Sequence, residues 1–242
     1  MIRLYRKNEL GFSLIWIALY VVLFSLADNL SLELGTAKIV TVPVCVVMTV
    51  FLIVWIMKNG LCEKYGLGKT EINYRKYLYF LPLVLIASTN LWGGVALHLS
   101  VPETVLYVVS MLCVGFIEEL IFRGFLFKAI CRANVKRAIL ISSITFGFGH
   151  IVNLLNNAET LATLLQICYA TAIGFLFTII FYKSKSLLPC VFTHSTINAL
   201  SAFARERSQK DSILVLVALI MISVLYAVWI LNQQKPDEGG MV

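Results

Sequence analysis

The chain has 242 residues, 60% of them hydrophobic and only 14% charged, with a mean hydropathy of +0.87. A soluble domain carries about 25% charged residues, so this composition excludes a water-soluble globule and makes a bilayer the natural solvent. The net charge of +7 fits basic flanks on membrane helices; no nucleic-acid partner is expected.

A membrane-spanning helix needs about 20 apolar residues. The first candidate lies near Phe12–Leu26, behind Arg3, Arg6 and Lys7. Ala27-Asp28-Asn29 is not a small-x-small cleavage pattern, so this helix is expected to be retained. Further candidates follow near Ile39–Met57, Tyr77–His98, Thr104–Phe127, Ala138–Val152, Thr160–Tyr182, Leu187–Phe203 and Ser212–Leu231. The fifth is short and interrupted by glycines. Connections are short and there is no linker. The expectation is an all-α, polytopic membrane helical bundle of about eight transmembrane helices, one integral membrane domain over residues 1–242. Pro43, Pro82 and Pro189 are expected to bend helices. Trp16, Trp55, Trp92 and Trp229 read as interfacial anchors. The six cysteines form no CxxC pair and read as small core residues.

Orientation follows from the basic residues. With the N-terminus inside, fifteen of the 20 Lys and Arg fall on cytoplasmic segments. Only Lys38, Arg205, Arg207 and Lys210 fall outside. The expectation is a multi-pass protein of the cell membrane, with the lipid bilayer around it and both termini cytoplasmic. The loop Arg205–Lys210 runs against this pattern.

Charge inside the hydrocarbon is the strongest functional signal. The fourth helix carries Glu118 and Glu119, and such residues cost several kcal/mol by most estimates unless they serve a site. Glu119 and Arg123 are spaced i, i+4 and can pair on one helix face. Glu118 points about 100° away and has no built-in cation, which leaves it free for proton transfer. Gly115 leaves room on its face. The fifth helix ends Phe146-Gly147-Phe148-Gly149-His150, and its glycines permit close backbone approach. The seventh carries His194 and Asn198, again i, i+4, both able to donate hydrogen bonds. Taken singly, each motif also reads as an ion pair or polar contact between helices. Depth binds them together. From the cytoplasmic ends, Glu118 lies roughly 13 Å deep, His150 roughly 18 Å and His194 roughly 10 Å, at 1.5 Å per residue. The motif-bearing core is expected over about 104–203. His98 lies far from this layer and reads as interfacial. Ser195 points about 100° from its neighbour His194, so the two do not form a nucleophile–base pair.

Glu118-Glu119-x-x-x-Arg123, Phe146-x-x-x-His150 and His194-x-x-x-Asn198 together resemble the motif set of the CPBP intramembrane protease family, the CAAX proteases and bacteriocin-processing enzymes also called Abi. The resemblance implies Glu118 as catalytic glutamate and His150 as the histidine that activates water. It implies His194 and Asn198 as oxyanion donors, with Glu119 and Arg123 shaping the site. It further implies an intramembrane endopeptidase acting on a membrane-associated peptide or protein, such as a prenylated CAAX tail or a leader peptide. The family is also described as metallo-endopeptidases. Glu118, His150 and His194 supply the three ligands that a catalytic zinc takes, and zinc or another divalent metal is the alternative to a glutamate mechanism without metal. The chain has no HExxH helix, which favours the metal-free route.

Two other function classes compete. One is a non-enzymatic membrane partner, a bacteriocin self-immunity factor or a scaffold, which would not need Glu118 and both histidines. The other is a proton-coupled transporter, for which Glu and His suit a relay. The sequence lacks the two-half symmetry of many transporters.

Overall fold

The computed structural model describes residues 1–68, 80–156 and 158–233. The chain begins with a short helix, α1 (Ile2–Lys7), and breaks at Asn8, whose extended backbone lets its side chain accept from Gly11 N at 2.8 Å. The long helix α2 (Glu9–Glu33) follows, then α3 (Thr41–Lys58), α4 (Leu81–Ala87) and α5 (Val101–Glu119). Helix α5 runs without a break into a π-helix over Leu120–Phe127 and a last turn, α6 (Lys128–Cys131). Then come α7 (Val135–Gly149), a 3-10 turn over His150–Asn156, α8 (Thr160–Ser184), α9 (Leu188–Leu200) and α10 (Gln209–Asn232).

Six helical stretches are long and apolar enough to cross a bilayer: Glu9–Glu33, Thr41–Lys58, Val101–Cys131, Val135–Leu154, Thr160–Ser184 and Gln209–Asn232. They correspond to six of the eight expected spans, so the molecule is a helical membrane bundle. The other two are shorter in the described residues. In the described part of the third candidate, α4 has only seven residues, and a 3-10 turn and Gly93–Gly94 end its helical course. The start of that candidate, residues 77–79, lies outside the described residues. The seventh candidate, α9, has 13 residues and rises about 20 Å, against a hydrocarbon core of about 30 Å. The two short elements pair with each other. Asn90 Nδ2 donates to Ile197 O at 2.6 Å, and beyond the helices Val95 and Ala204 form an antiparallel bridge.

The proline expectation is corrected. Pro82 and Pro189 are the second residues of α4 and α9, and Pro43 lies in the first turn of α3. These sites need no amide donor, so proline starts the helices rather than bending them. Trp16 and Trp55 are also corrected, being buried. They pack edge-on or stacked with Tyr5, Phe12 and Phe125 near the N-terminal end of the bundle. Trp92 and Trp229 are exposed. All six cysteines are free; Cys45, Cys131 and Cys190 are buried.

The N-terminal end is tied by a polar knot. Lys64 Nζ bonds Tyr5 Oη and Glu9 Oε1, the latter at 2.8 Å, while Tyr65 donates to Tyr5 Oη at 2.9 Å. Burial pushes the Tyr65 phenol well above its ordinary value, so it stays a donor. Gly66, at φ +63°, lets the same loop touch the α8–α9 turn, where Leu187 N donates to Gly66 O at 3.0 Å. A Cβ there would lie 2.4 Å from Lys185 O. This closed end of the bundle lies beyond the polar layer.

Candidate active site

Helix α5 and its π continuation form the central rod, packed by α2, α3, α7 and α9. Its end carries Glu118 and Glu119, 8% and 0% exposed, and Arg123, 0% exposed. A π-helix widens the turn by one residue and often marks a functional site. The expected Glu119–Arg123 pair is present, with Arg123 Nη1 donating to Glu119 Oε1 at 2.8 Å. The rest of the guanidinium meets aromatic faces. Its carbon stands 4.0 Å from the Phe146 centroid and 5.7 Å from that of Phe177. Gly174 on α8 makes room, since a Cβ there would lie 3.0 Å from Arg123 Nη2.

Glu118 sits in a different environment. Tyr20 Oη, from α2, donates to its Oε1 at 2.6 Å. His194 Nε2 stands 3.4 Å from its Oε2, while His194 Nδ1 contacts Glu119 Oε1 at 2.8 Å. His194 therefore bridges the two carboxylates.

Phe146 is the hub of this arrangement. Its ring meets those of both His150 and His194 edge-on, at 5.5 Å each. The motif residue with no polar atoms thus holds two histidines and one arginine in register. His150 lies where α7 tightens into the 3-10 turn.

A cavity of about 1000 Å³ opens along this layer. Glu118, His150, Asn198 and Tyr20 line it; Glu119, Arg123 and His194 stand behind the wall. The sequence-level pairing of His194 with Asn198 as two equivalent donors differs from this placement. Asn198 faces the cavity, whereas His194 reaches it only past Glu118. The cavity extends to Asp28, Lys38, Glu159 and Gln209, at the end where α2 stops and α8 and α10 start. That is the end opposite the basic loops.

Of the motif glycines, Gly147 allows close backbone approach as expected, but the room expected beside Gly115 is filled by α9 and Gly149 makes no close approach. A Cβ on Gly115 would lie 2.6 Å from Ser195 Cα and N, so α5 and α9 meet backbone to backbone there. Ser195 Oγ is used between the same two helices, donating to Leu112 O on α5 at 3.0 Å. A Cβ on Gly147 would lie 2.9 Å from Ile167 O on α8. Gly149 meets only the edge of Phe122, at 3.9 Å. His98 is exposed and contacts Ala204 O at 3.1 Å, far from the cluster.

The residues fit a zinc ion poorly. Both His194 nitrogens are turned to carboxylates, and among the described residues no three His, Cys, Asp or Glu side chains converge on one point. Tyr20, Gly174 and Phe177 were not singled out from sequence. A tyrosine or phenylalanine in an apolar helix carries no signal of its own, and a lone glycine in α8 carries little.

Residues 100–200 match the family model of type II CAAX prenyl endopeptidases, Rce1-like. The matched stretch covers all three motifs and leaves out Tyr20. No curated protein and no solved structure matches the chain.

Proposed function

We propose, for a chain whose residues 100–200 match the Rce1-like type II CAAX prenyl endopeptidase family model, that it hydrolyses a peptide bond of a membrane-associated substrate with water activated by Glu118. The family supports a CAAX-type intramembrane endopeptidase in general. The observation that carries it is one cavity lined by Glu118, His150 and Asn198.

Amide hydrolysis needs a base, a place for negative charge and a proton for the leaving amine. Glu118 is the base and takes a proton from water, with His150 beside the same space. The hydroxide attacks the carbonyl carbon. The Asn198 amide meets the developing oxyanion, a contribution of about 3–4 kcal/mol for a well-placed donor. Glu118 then passes its proton to the departing nitrogen, which closes the cycle. Tyr20 and His194 hold the Glu118 carboxylate in one orientation, and an oriented group is worth far more than a mobile one. Glu119 and Arg123 anchor His194. No step is routed through a metal, because the donor set does not suit one.

The chain is read as a cell-membrane protein with its basic loops cytoplasmic. In that orientation the polar end of the cavity lies at the outer face. The substrate is then a membrane-associated peptide or protein whose scissile bond reaches the layer from that end.

The test is comparison of peptide ends, by mass spectrometry, in membranes with the intact protein and with Glu118→Gln. New ends that depend on Glu118 support the reading. Identical ends in both would leave the non-enzymatic partner as the better account.

A further inference from the structure

Asn198 sits at the end of α9, where a helix runs out of amides for its last carbonyls. Its side-chain amide makes no hydrogen bond among the described residues, so its aim depends on the backbone beneath it. That backbone is held from two sides. The amide of Ser201, the cap of α9, turns to Asn198 O and Ala199 O rather than to Ile197 O. The freed Ile197 carbonyl takes Asn90 Nδ2 at 2.6 Å, from the 3-10 turn Thr89–Leu91. The next carbonyl, that of Asn198, takes Ser201 Oγ at 2.6 Å. Ser201 has one hydroxyl proton and uses it there, so Tyr107 Oη, 3.0 Å from Ser201 Oγ, is the donor in that contact. Tyr107 belongs to α5, the helix that carries Glu118.

The turn that carries Asn90 is itself tied down. Arg207 Nη2 donates to the carbonyl of Thr89, and the Arg207 stem crosses Gly93, where a Cβ would lie 2.9 Å from Nε. Ala96 N donates to Phe203 O at 3.0 Å, and Arg205 N to Gly94 O at 3.3 Å. The loop that runs against the positive-inside pattern thus pins the segment behind Asn90. Asn90, Tyr107, Ile197, Asn198 and Ser201 all line the cavity that Glu118 and His150 share. Helix ends fray, and a displacement of about 1 Å at a reacting group costs on the order of 10²-fold in rate. A donor placed on a last helical turn therefore needs fixtures of this kind.

Resting on the protease reading above, we infer that Asn90, and Tyr107 acting through Ser201, are positioning residues that clamp the consecutive carbonyls of Ile197 and Asn198 and so aim the Asn198 amide at the oxyanion. Neither touches the reacting atoms. Their effect passes through Asn198 and falls on the chemical step rather than on substrate binding, because the oxyanion forms only after attack.

The experiment uses the full-length protein in detergent and a fluorogenic farnesyl-cysteine peptide with a three-residue aliphatic tail. Asn90→Leu keeps the approximate volume and removes the donor; Tyr107→Phe removes one hydroxyl. Each should lower kcat by about tenfold, with KM within about twofold and a melting temperature close to that of the wild type. Each is then combined with Asn198→Ala, which by itself should cost about 10²–10³-fold in kcat. In that background neither substitution should lower kcat further by more than about twofold, since the group they aim is gone. A loss that falls on KM instead of kcat, an equal loss in both backgrounds, or no loss at all overturns the clamp and leaves the protease reading standing. Should Asn90→Leu not fold, Asn90→Gln, which carries the donor one methylene further out, takes its place in the cycle. A wild type that cleaves the peptide no faster than Glu118→Gln counts against the protease reading and overturns the clamp with it.

Discussion

Tyr20 Oη donates to Glu118 Oε1 at 2.6 Å across 98 residues of sequence. It links a helix outside the matched family segment to the carboxylate on the cavity wall. An uncharged donor to a carboxylate is worth about 1.5–3 kcal/mol. Tyr20→Phe keeps the ring and removes only this bond. It should lower kcat by about 10–100-fold with little change in thermal stability. Full activity in Tyr20→Phe would mean that the bond is incidental.

The two adjacent glutamates should separate in their effects. Glu118→Gln should abolish cleavage while the protein inserts and folds, because its contacts are at the cavity edge. Glu119→Gln strands Arg123, which is 0% exposed and bonds no other carboxylate among the described residues. Breaking a buried pair costs about 3–5 kcal/mol. The expected phenotype is loss of folded protein in size-exclusion and thermal-shift measurements. Activity lost in both variants with identical folding would contradict the division of roles.

Glycine positions give a graded test of packing. Gly115→Ala places a methyl 2.6 Å from the Ser195 backbone, which cannot rotate away. The helix that carries His194 and Asn198 must shift, at a cost of about 1–3 kcal/mol. Gly149→Ala meets only the edge of Phe122 at 3.9 Å, an ordinary contact. Thermal melts in detergent should therefore rank Gly115→Ala well below Gly149→Ala, and the reverse order would discredit the α5–α9 contact.

Much of the site was legible because charge in hydrocarbon is conspicuous. Glu118, Glu119, Arg123 and His194 come together as their spacing and depth suggested, and the 2.8 Å Glu119–Arg123 pair follows from i, i+4 spacing alone. The direction of His194 was not legible. Its i, i+4 relation to Asn198 is real, but only the position of α5 decides that its ring turns to the carboxylates. Tyr20 was hidden because a mid-helix tyrosine is ordinary. Apolar content reports burial in lipid or protein alike, so the stretch 187–203 reads as a span, whereas α9 has only 13 residues; the start of 77–98 lies outside the described residues. Beyond α4 and α9 the chain forms one clasp near Val95 and Ala204. The prolines misled because a proline inside an apolar run looks internal until the helix start is known.

Orientation decides which face of the membrane the substrate comes from. The N-terminal end holds Arg3, Arg6 and Lys7, and most other basic residues flank the same side. The cavity instead reaches Gln209 and Lys38 at the opposite end. If the basic side is cytoplasmic, single cysteines at these two ends must behave oppositely. In a cysteine-free background, Arg6→Cys in sealed, right-side-out vesicles should resist an impermeant maleimide until the membrane is permeabilised. Gln209→Cys, which is exposed, should label at once. The reverse pattern would turn the molecule over. It would bring the cavity and Arg207 to the cytoplasmic face and require the loop Arg205–Lys210, not the N-terminus, to set the topology.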